Sequence, residues 1–414
     1  MGKAELIMVY KRNFSVTEII DQVKPTEIEK LLCELISIES HQDIDGYERD
    51  VTTFIQHYLQ KENIEVELLP VLGERSNLIA RLKGDGSGPV LVFNGHTDTI
   101  PAYDMKHAFC PQVKGDKIYG RGSTDMKGAL AAMISVLIGI KRSGVPLKGD
   151  VVLVTTIGEE SYSPGAYHLV NSGFRADYAI VGEPTGMRVG IAHKGVIWGE
   201  AEFIGHSAHG SVPEQGINAI YKACRWIEEI QRTYIPELKK RSHPLLGNPS
   251  INIGMIEGGT RPVIVPSRCI VRFERRMIPG ENEDMVINEL QQLIDNIAAH
   301  DPEMNGIVRI MPVFQGVPHV PMESAADSVL VQELCAAYEE EFGEPAQPCG
   351  LQYWTDGALL SQIPGIQTVV CGPGHIAQAH SNTEYISRHQ LHAAYRMYMK
   401  VAINLCIKNK QEGR

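Results

Sequence analysis

The chain has 414 residues, 43% hydrophobic and 21% charged, enough apolar material for two sizeable cores, which excludes a disordered, collagen-like or disulfide-dense protein. Its 39 Lys and Arg stand against 50 Asp and Glu, a formal net charge of −11 with the 15 His neutral, so a nucleic-acid phosphate backbone is not an expected partner. The eight cysteines, Cys33, Cys110, Cys224, Cys269, Cys335, Cys349, Cys371 and Cys406, form no C-x-x-C pair and read as scattered thiols of a reducing compartment.

At the start of the chain, MGKAELIMVYKRNFS has no long apolar run ending in a small-residue cleavage site, so no export signal is expected. Gly2 does not begin a myristoylation signal, because Leu6 stands where that signal wants Ser or Thr. The longest apolar stretch, residues 129–140, falls short of the ~20 residues of a membrane span. A cytoplasmic protein with no membrane partner is expected.

Residues 26–38 and 47–61 carry helical periodicity, and PVLVFNG at 89–95 reads as a buried strand. An Ala- and Ile-rich helix is predicted over 125–142, stopped by Gly144, with further buried strands at 150–158 and 178–185. Strands alternating with helices predict βαβ units and a largely parallel sheet. From about Lys194 the rhythm becomes strand, helix, strand, strand, helix, strand, at 196–203, 218–234, 250–256, 269–277, 284–299 and 307–314. That is the order of a ferredoxin-like split βαβ unit. After Val317 the chain returns to a helix at 328–342, a strand at 367–370 and a closing helix at 390–407. The expected architecture is therefore α/β: a discontinuous catalytic domain, 1–192 and 313–414, interrupted by an inserted α+β domain at 193–312.

Acidic and imidazole side chains gather where buried strands end or a helix begins, the places where open α/β sheets collect ligand-binding loops. They are His96 and Asp98 in GHTDTIP, Asp125 in GRGSTDMKGA, Glu159 and Glu160 in GEES, Glu183 in GEPT, and His380 in GPGHIAQAHSNTEY. Imidazoles with carboxylates and no thiolate suit zinc or a similar divalent metal, whereas calcium wants oxygen alone. In GHTD one residue separates His96 from Asp98, so in extended chain both side chains leave on one face. The Asp98 carboxylate is then expected to hold the second imidazole nitrogen of His96. Glu159 and Glu160 diverge, so one suits a metal and the other a general base beside a metal-bound water. Asp125 falls at the start of the long helix, where capping of free amides is its plainest reading. Taken singly each of these residues has such an ordinary explanation; their joint pattern does not.

Together these strings resemble the dinuclear zinc deacylases and exopeptidases that include acetylornithine deacetylase, succinyl-diaminopimelate desuccinylase, aminoacylase and glutamate carboxypeptidase. The similarity runs from about Glu27 to the C-terminal helix, with the motifs in the family's order. It implies a zinc-peptidase-like catalytic domain whose inserted domain is a lid that also dimerises. It implies further that His96 and Glu183 bind one of two Zn2+ ions, Glu160 and His380 the other, and that Asp125 bridges them; Co2+ or Mn2+ are conceivable substitutes. Glu159 is the implied general base, with Asp98 behind His96.

In GHSAHGSVPEQGINAI the family's G-x-x-A-H pattern falls on His209 rather than His206 as the histidine that reaches the active site. Arg276 in ERRMIPGE matches the family's lid arginine, implied to grip the substrate α-carboxylate with its planar fork, and Arg275 is its neighbouring decoy. Gly374, in the GPG loop beside His380, would let backbone approach a ligand closely. Val263 stands where many relatives have an Asn that positions substrate, so the substrate of any one relative does not transfer. The implied reaction is hydrolysis of the amide bond of an N-acyl amino acid by a metal-bridging water, with Glu159 as base and His209 helping to meet the oxyanion. A dipeptidase or carboxypeptidase on the same centre is the alternative within hydrolases. A non-catalytic metal- or amino-acid-binding protein is the alternative of another class, against which Glu159 and Asp125 both stand.

Overall fold

A computed structural model of the chain describes residues 15–311 and 316–407. The N-terminal stretch that bears on export and myristoylation lies outside these residues, as do Phe314 and the expected domain boundary at 312/313. Two compact units are present: Met1–Ile191 with Ser324–Cys349 and Thr355–Arg414, and Ala192–Glu323 with Gly350–Trp354. The second unit thus runs past the expected boundary and takes in a short later segment.

In the first unit the sheet order is Glu65–Leu72, Arg75–Leu82, Val151–Thr156, Leu91–His96, Tyr178–Val181, Gln367–Val370, followed by Gly190. The strands from Val151 to Val370 pair in parallel, while the first two form an antiparallel hairpin joined antiparallel to Val151–Thr156. This hairpin escaped the sequence reading because its outer strand buries no residue and so shows no apolar stripe. Leu91–His96 and Val151–Thr156 are buried throughout, as continuous apolar runs covered on both faces should be. Their register is flush, His96 opposite Thr156 and Asn94 opposite Val181, so the carboxyl ends of the parallel strands open at one edge.

The long helix Lys127–Ser143 is buried from Lys127 to Ile140, as its apolar circumference demands. It packs against Pro25–Ile36 and the closing helix Arg388–Ala402. Gly144 ends it in the left-handed region at φ 67°, a conformation glycine adopts without a Cβ penalty.

The second unit carries a four-stranded sheet ordered Ser250–Gly258, Arg268–Met277, Gly195–Ile204, Gly306–Ile310, every pair antiparallel. With helices Ala219–Glu229 and Glu283–Ala298 this is the ferredoxin-like arrangement the element order predicts. Its core is centred on Trp226, Phe203, Phe273 and Leu290, supplied by the alternating inward residues of the strands and by one face of each helix. Among the described residues no helix is long and apolar enough to cross a membrane.

Candidate metal centre

Strand ends bring the predicted ligands together. His96 closes one parallel strand, Glu159 and Glu160 follow the next, Glu183 follows the third and His380 lies beyond the fourth. Asp125 is not a helix cap: the cap residue is Met126, and no side chain caps that helix. The two Asp125 oxygens instead divide between two imidazoles. Oδ1 is 3.1 Å from His96 Nε2 and Oδ2 is 3.3 Å from His380 Nε2. Glu183 Oε1 lies 3.4 Å from His96 Nε2, and Glu160 Oε2 lies 3.0 Å from His380 Nε2. Glu159 borders the first group, its carboxylate within 4.8 Å of the donor atoms of His96 and Glu183.

Asp98 corrects the expectation from spacing. His96 Nδ1 meets the Asp98 backbone carbonyl at 2.9 Å, whereas the carboxylate is 3.6 Å away. A carbonyl can only accept, so Nδ1 carries a proton, and Nε2 is the atom turned to Asp125 and Glu183. The Asp98 carboxylate accepts the amides of Gly158, Glu159 and Glu160 at 2.9, 3.2 and 2.9 Å, and so sets the turn that aims both glutamates.

A second buried carboxylate does the same for the Asp125 loop. Glu384 accepts the amides of Gly122, Thr124 and Asp125 at 3.1, 2.9 and 3.1 Å, and the Arg121 guanidinium at 2.7 Å. Asp356, also buried, accepts the Thr156 hydroxyl at 2.7 Å just ahead of the Glu159 turn. Sequence reasoning missed both; the available signals were a glutamate four residues past His380 in HSNTEY and a lone acid in the apolar string WTDGALL. Gly374 sits at φ 88°, where a Cβ would come within 2.9 Å of the Thr124 side chain, and its amide donates to Gln390. The GPG loop therefore lies tight against the Asp125 loop.

The charge balance of this cluster calls for cations. Burial, followed by the charge of Glu183, raises the Glu159 carboxyl well above its usual range. Burial and the Asp125 and Glu160 carboxylates raise Glu183 likewise, and burial with Asp125 pushes Glu160 up to about 7. Hydrogen bonds to Asp125 and Glu160 lift His380 to about 10. Burial disfavours charge on His96, yet Glu183, Asp125 and Asp98 together outweigh it.

Glu183 Oε1 is buried with no hydrogen-bond partner, 3.4 Å from His96 Nε2. Two carboxylates converging on one imidazole nitrogen in this way are reconciled by a cation. Donors held about 2.0–2.2 Å from one tetrahedral ion lie roughly 3.3–3.6 Å apart, close to the 3.0–3.4 Å spacings here. The donor set, imidazole and carboxylate without thiolate, fits two transition-type divalent ions.

The remaining predicted residues lie in the second unit. His209 is exposed and its Nδ1 meets the Ser211 hydroxyl at 2.7 Å, while His206 is engaged through its backbone with Ile217. Arg275 is fully buried and committed to Glu281 at 2.7 Å and to the Tyr234 hydroxyl. Arg276 is half-buried, paired with Glu274 at 2.8 Å. Val263 is exposed, and its carbonyl accepts the Gly210 amide next to His209.

Similar sequences and a similar fold are known. Residues 92–404 match the sequence profile of Peptidase family M20/M25/M40. A Staphylococcus epidermidis protein named "Probable succinyl-diaminopimelate desuccinylase" is 28% identical over 390 residues, 87% of this chain and 93% of that one. An acetylornithine deacetylase of Edwardsiella ictaluri is 31% identical over 360 residues, 83% of this chain and 88% of that one. The crystal structure of a tripeptidase from Staphylococcus aureus shares the fold, with a TM-score of 0.75 at 21% identity over 92% of this chain and 98% of that chain.

Proposed function

Because the chain belongs to Peptidase family M20/M25/M40, we propose that it is a dinuclear metallohydrolase that cleaves the amide bond of an N-acyl amino acid, a deacylase of the kind its relatives are named for. The observation that carries this reading is the division of the Asp125 carboxylate between His96 and His380, with Glu183 and Glu160 completing the two groups. His96, Glu183 and Asp125 would hold one ion, and His380, Glu160 and Asp125 the other, with zinc the best match to the donors.

When bound, such ions lower the pKa of a water and polarise a carbonyl. Glu159, half-buried and raised in proton affinity, takes the proton of the attacking water and returns it to the leaving amine. The Nδ1 proton donated to the Asp98 carbonyl keeps the His96 lone pair turned to the cluster, and the Asp98 carboxylate keeps Glu159 and Glu160 aimed. Arg276 is assigned the substrate α-carboxylate and His209 the oxyanion, as the family pattern implies. Gly374 is assigned the close backbone approach to the ligand beside His380.

The second unit is assigned the roles of lid and dimer interface. Its edge strand Ser250–Gly258 exposes Met255 and Ile256, with an unpaired outer edge among the described residues. A cytoplasmic location is supported by eight free, dispersed cysteines. Metal analysis of the purified protein, together with N-acetyl, N-formyl and N-succinyl amino acids assayed beside dipeptides, tests the reading. Two ions per chain and metal-dependent release of free amino acid are expected; turnover of dipeptides alone would replace deacylase with dipeptidase.

A further inference from the structure

We infer that a small pocket in the first unit, opening beside Glu160, is the acyl subsite, and that it selects a short uncharged acyl group, formyl or acetyl, against one ending in a carboxylate such as succinyl. The inference rests on the deacylase reading above and names its substrate class.

The pocket has a volume of about 60 Å³, and Glu160 and Asp98 stand in its lining. It therefore adjoins the place where the scissile carbonyl must come, yet has room for only a few heavy atoms. Tyr47, Tyr103, Ile100 and Pro101 supply much of the rest of its wall. Both tyrosines sit in the left-handed backbone region, at φ 49° and 45°, which bulky residues rarely adopt and which functional loops retain.

Charge decides the chemistry. The one cation in the lining, Arg75, is already engaged: two of its nitrogens meet the buried Glu48 carboxylate at 2.8 and 2.6 Å, and its guanidinium lies 4.4 Å over the Tyr47 ring. Glu48, Asp98 and Glu160 are all carboxylates, each with partners of its own. A ligand carboxylate entering here would find the one basic side chain of the lining already paired and the Glu48 and Asp98 carboxylates in the wall, and burying a charge unpaired is strongly unfavourable. An acetyl methyl can rest on the Tyr47 and Tyr103 rings and on Ile100 and Pro101, in a wall whose other members include the uncharged Gln42, Thr99 and Ser161.

The test uses metal-loaded full-length protein and pairs of substrates that share one amino acid and differ in the acyl group. The expected result is kcat/KM at least tenfold higher for acetyl or formyl than for succinyl across several amino acids, as pocket discrimination of this kind reaches about 10–200-fold. Tyr47→Ala should raise the butyryl-to-acetyl ratio of kcat/KM about tenfold, and Tyr47→Phe should leave the ratio as it is. Because the readout is a ratio, it survives a general loss of activity. Succinyl substrates turned over as well as acetyl ones, or a ratio unmoved by Tyr47→Ala, overturn the acyl subsite while the deacylase reading stands. Turnover of no N-acyl amino acid overturns both.

Discussion

At the scale of single residues, the site separates groups that hold from a group that acts. Glu159 and Glu160 are adjacent, but only Glu160 faces His380 and Asp125, at distances suited to a shared ion. Replacing Glu159 by Ala should therefore leave metal content near two ions per chain while kcat falls about 100-fold or more, the contribution of a general base. Metal analysis beside steady-state kinetics checks this, and loss of metal with loss of activity would make Glu159 a ligand instead. His96, Asp98, Asp125, Glu160, Glu183 and His380 were all visible as residue types after buried strands or at a helix start. What their spacing did not show is which atom of Asp98 serves His96, because the carbonyl and the carboxylate of one residue are indistinguishable in a string.

Among the elements, two loops owe their shape to remote carboxylates. Asp98 gathers three amides of the 158–160 turn, and Glu384 gathers three amides of the 122–125 loop together with Arg121. Glu384→Gln places an NH2 against donors that need an acceptor and leaves the buried Arg121 without its counter-charge. Metal affinity should drop about 10–100-fold, as for other residues that orient ligands, and stability should fall by about 3 kcal/mol or more. A competition titration with a chromophoric chelator and urea unfolding measure the two effects; unaltered affinity would mean that the loop holds Asp125 without this clamp. The elements themselves were largely legible. The long helix, the buried parallel strands and the βαββαβ order followed from apolar period and length, whereas the outer strand Glu65–Leu72, which buries no residue, carried no such stripe, and the acids Glu384 and Asp356 offered only the faint signals of a glutamate near His380 and a lone acid in an apolar string.

For the molecule as a whole, stability should be coupled to metal and to pH. With ions removed, Glu160 at about 7 against an ordinary 4.5, and His380 at about 10 against 6.5, bind protons more tightly folded than unfolded. Each favours folding below its unfolded value and loses that contribution as the pH rises through its folded value. Metal ions displace these protons, so metal binding tightens as the pH rises. The gap in Tm between metal-loaded and chelator-treated protein should accordingly widen from pH 5 to 8, and a gap that narrows would contradict the ligand set. Assembly gives a second molecular test. If the edge Ser250–Gly258 pairs with its copy, Met255→Lys should convert a dimer to a monomer in small-angle scattering, and a wild-type monomer with full activity would remove the dimer from the proposal.

The amino-acid sequence by itself determined the fold class and supplied the ligand candidates, because apolar periodicity and the residues that follow buried strands are local properties. Tertiary structure alone decided how the candidates face one another. Asp98 reaches amides 60 to 62 positions away, and Glu384 reaches amides 259 to 262 positions away. Hydrogen bonds over such separations depend on which strands lie side by side, and on whether their ends are flush, before any side chain can meet its partner.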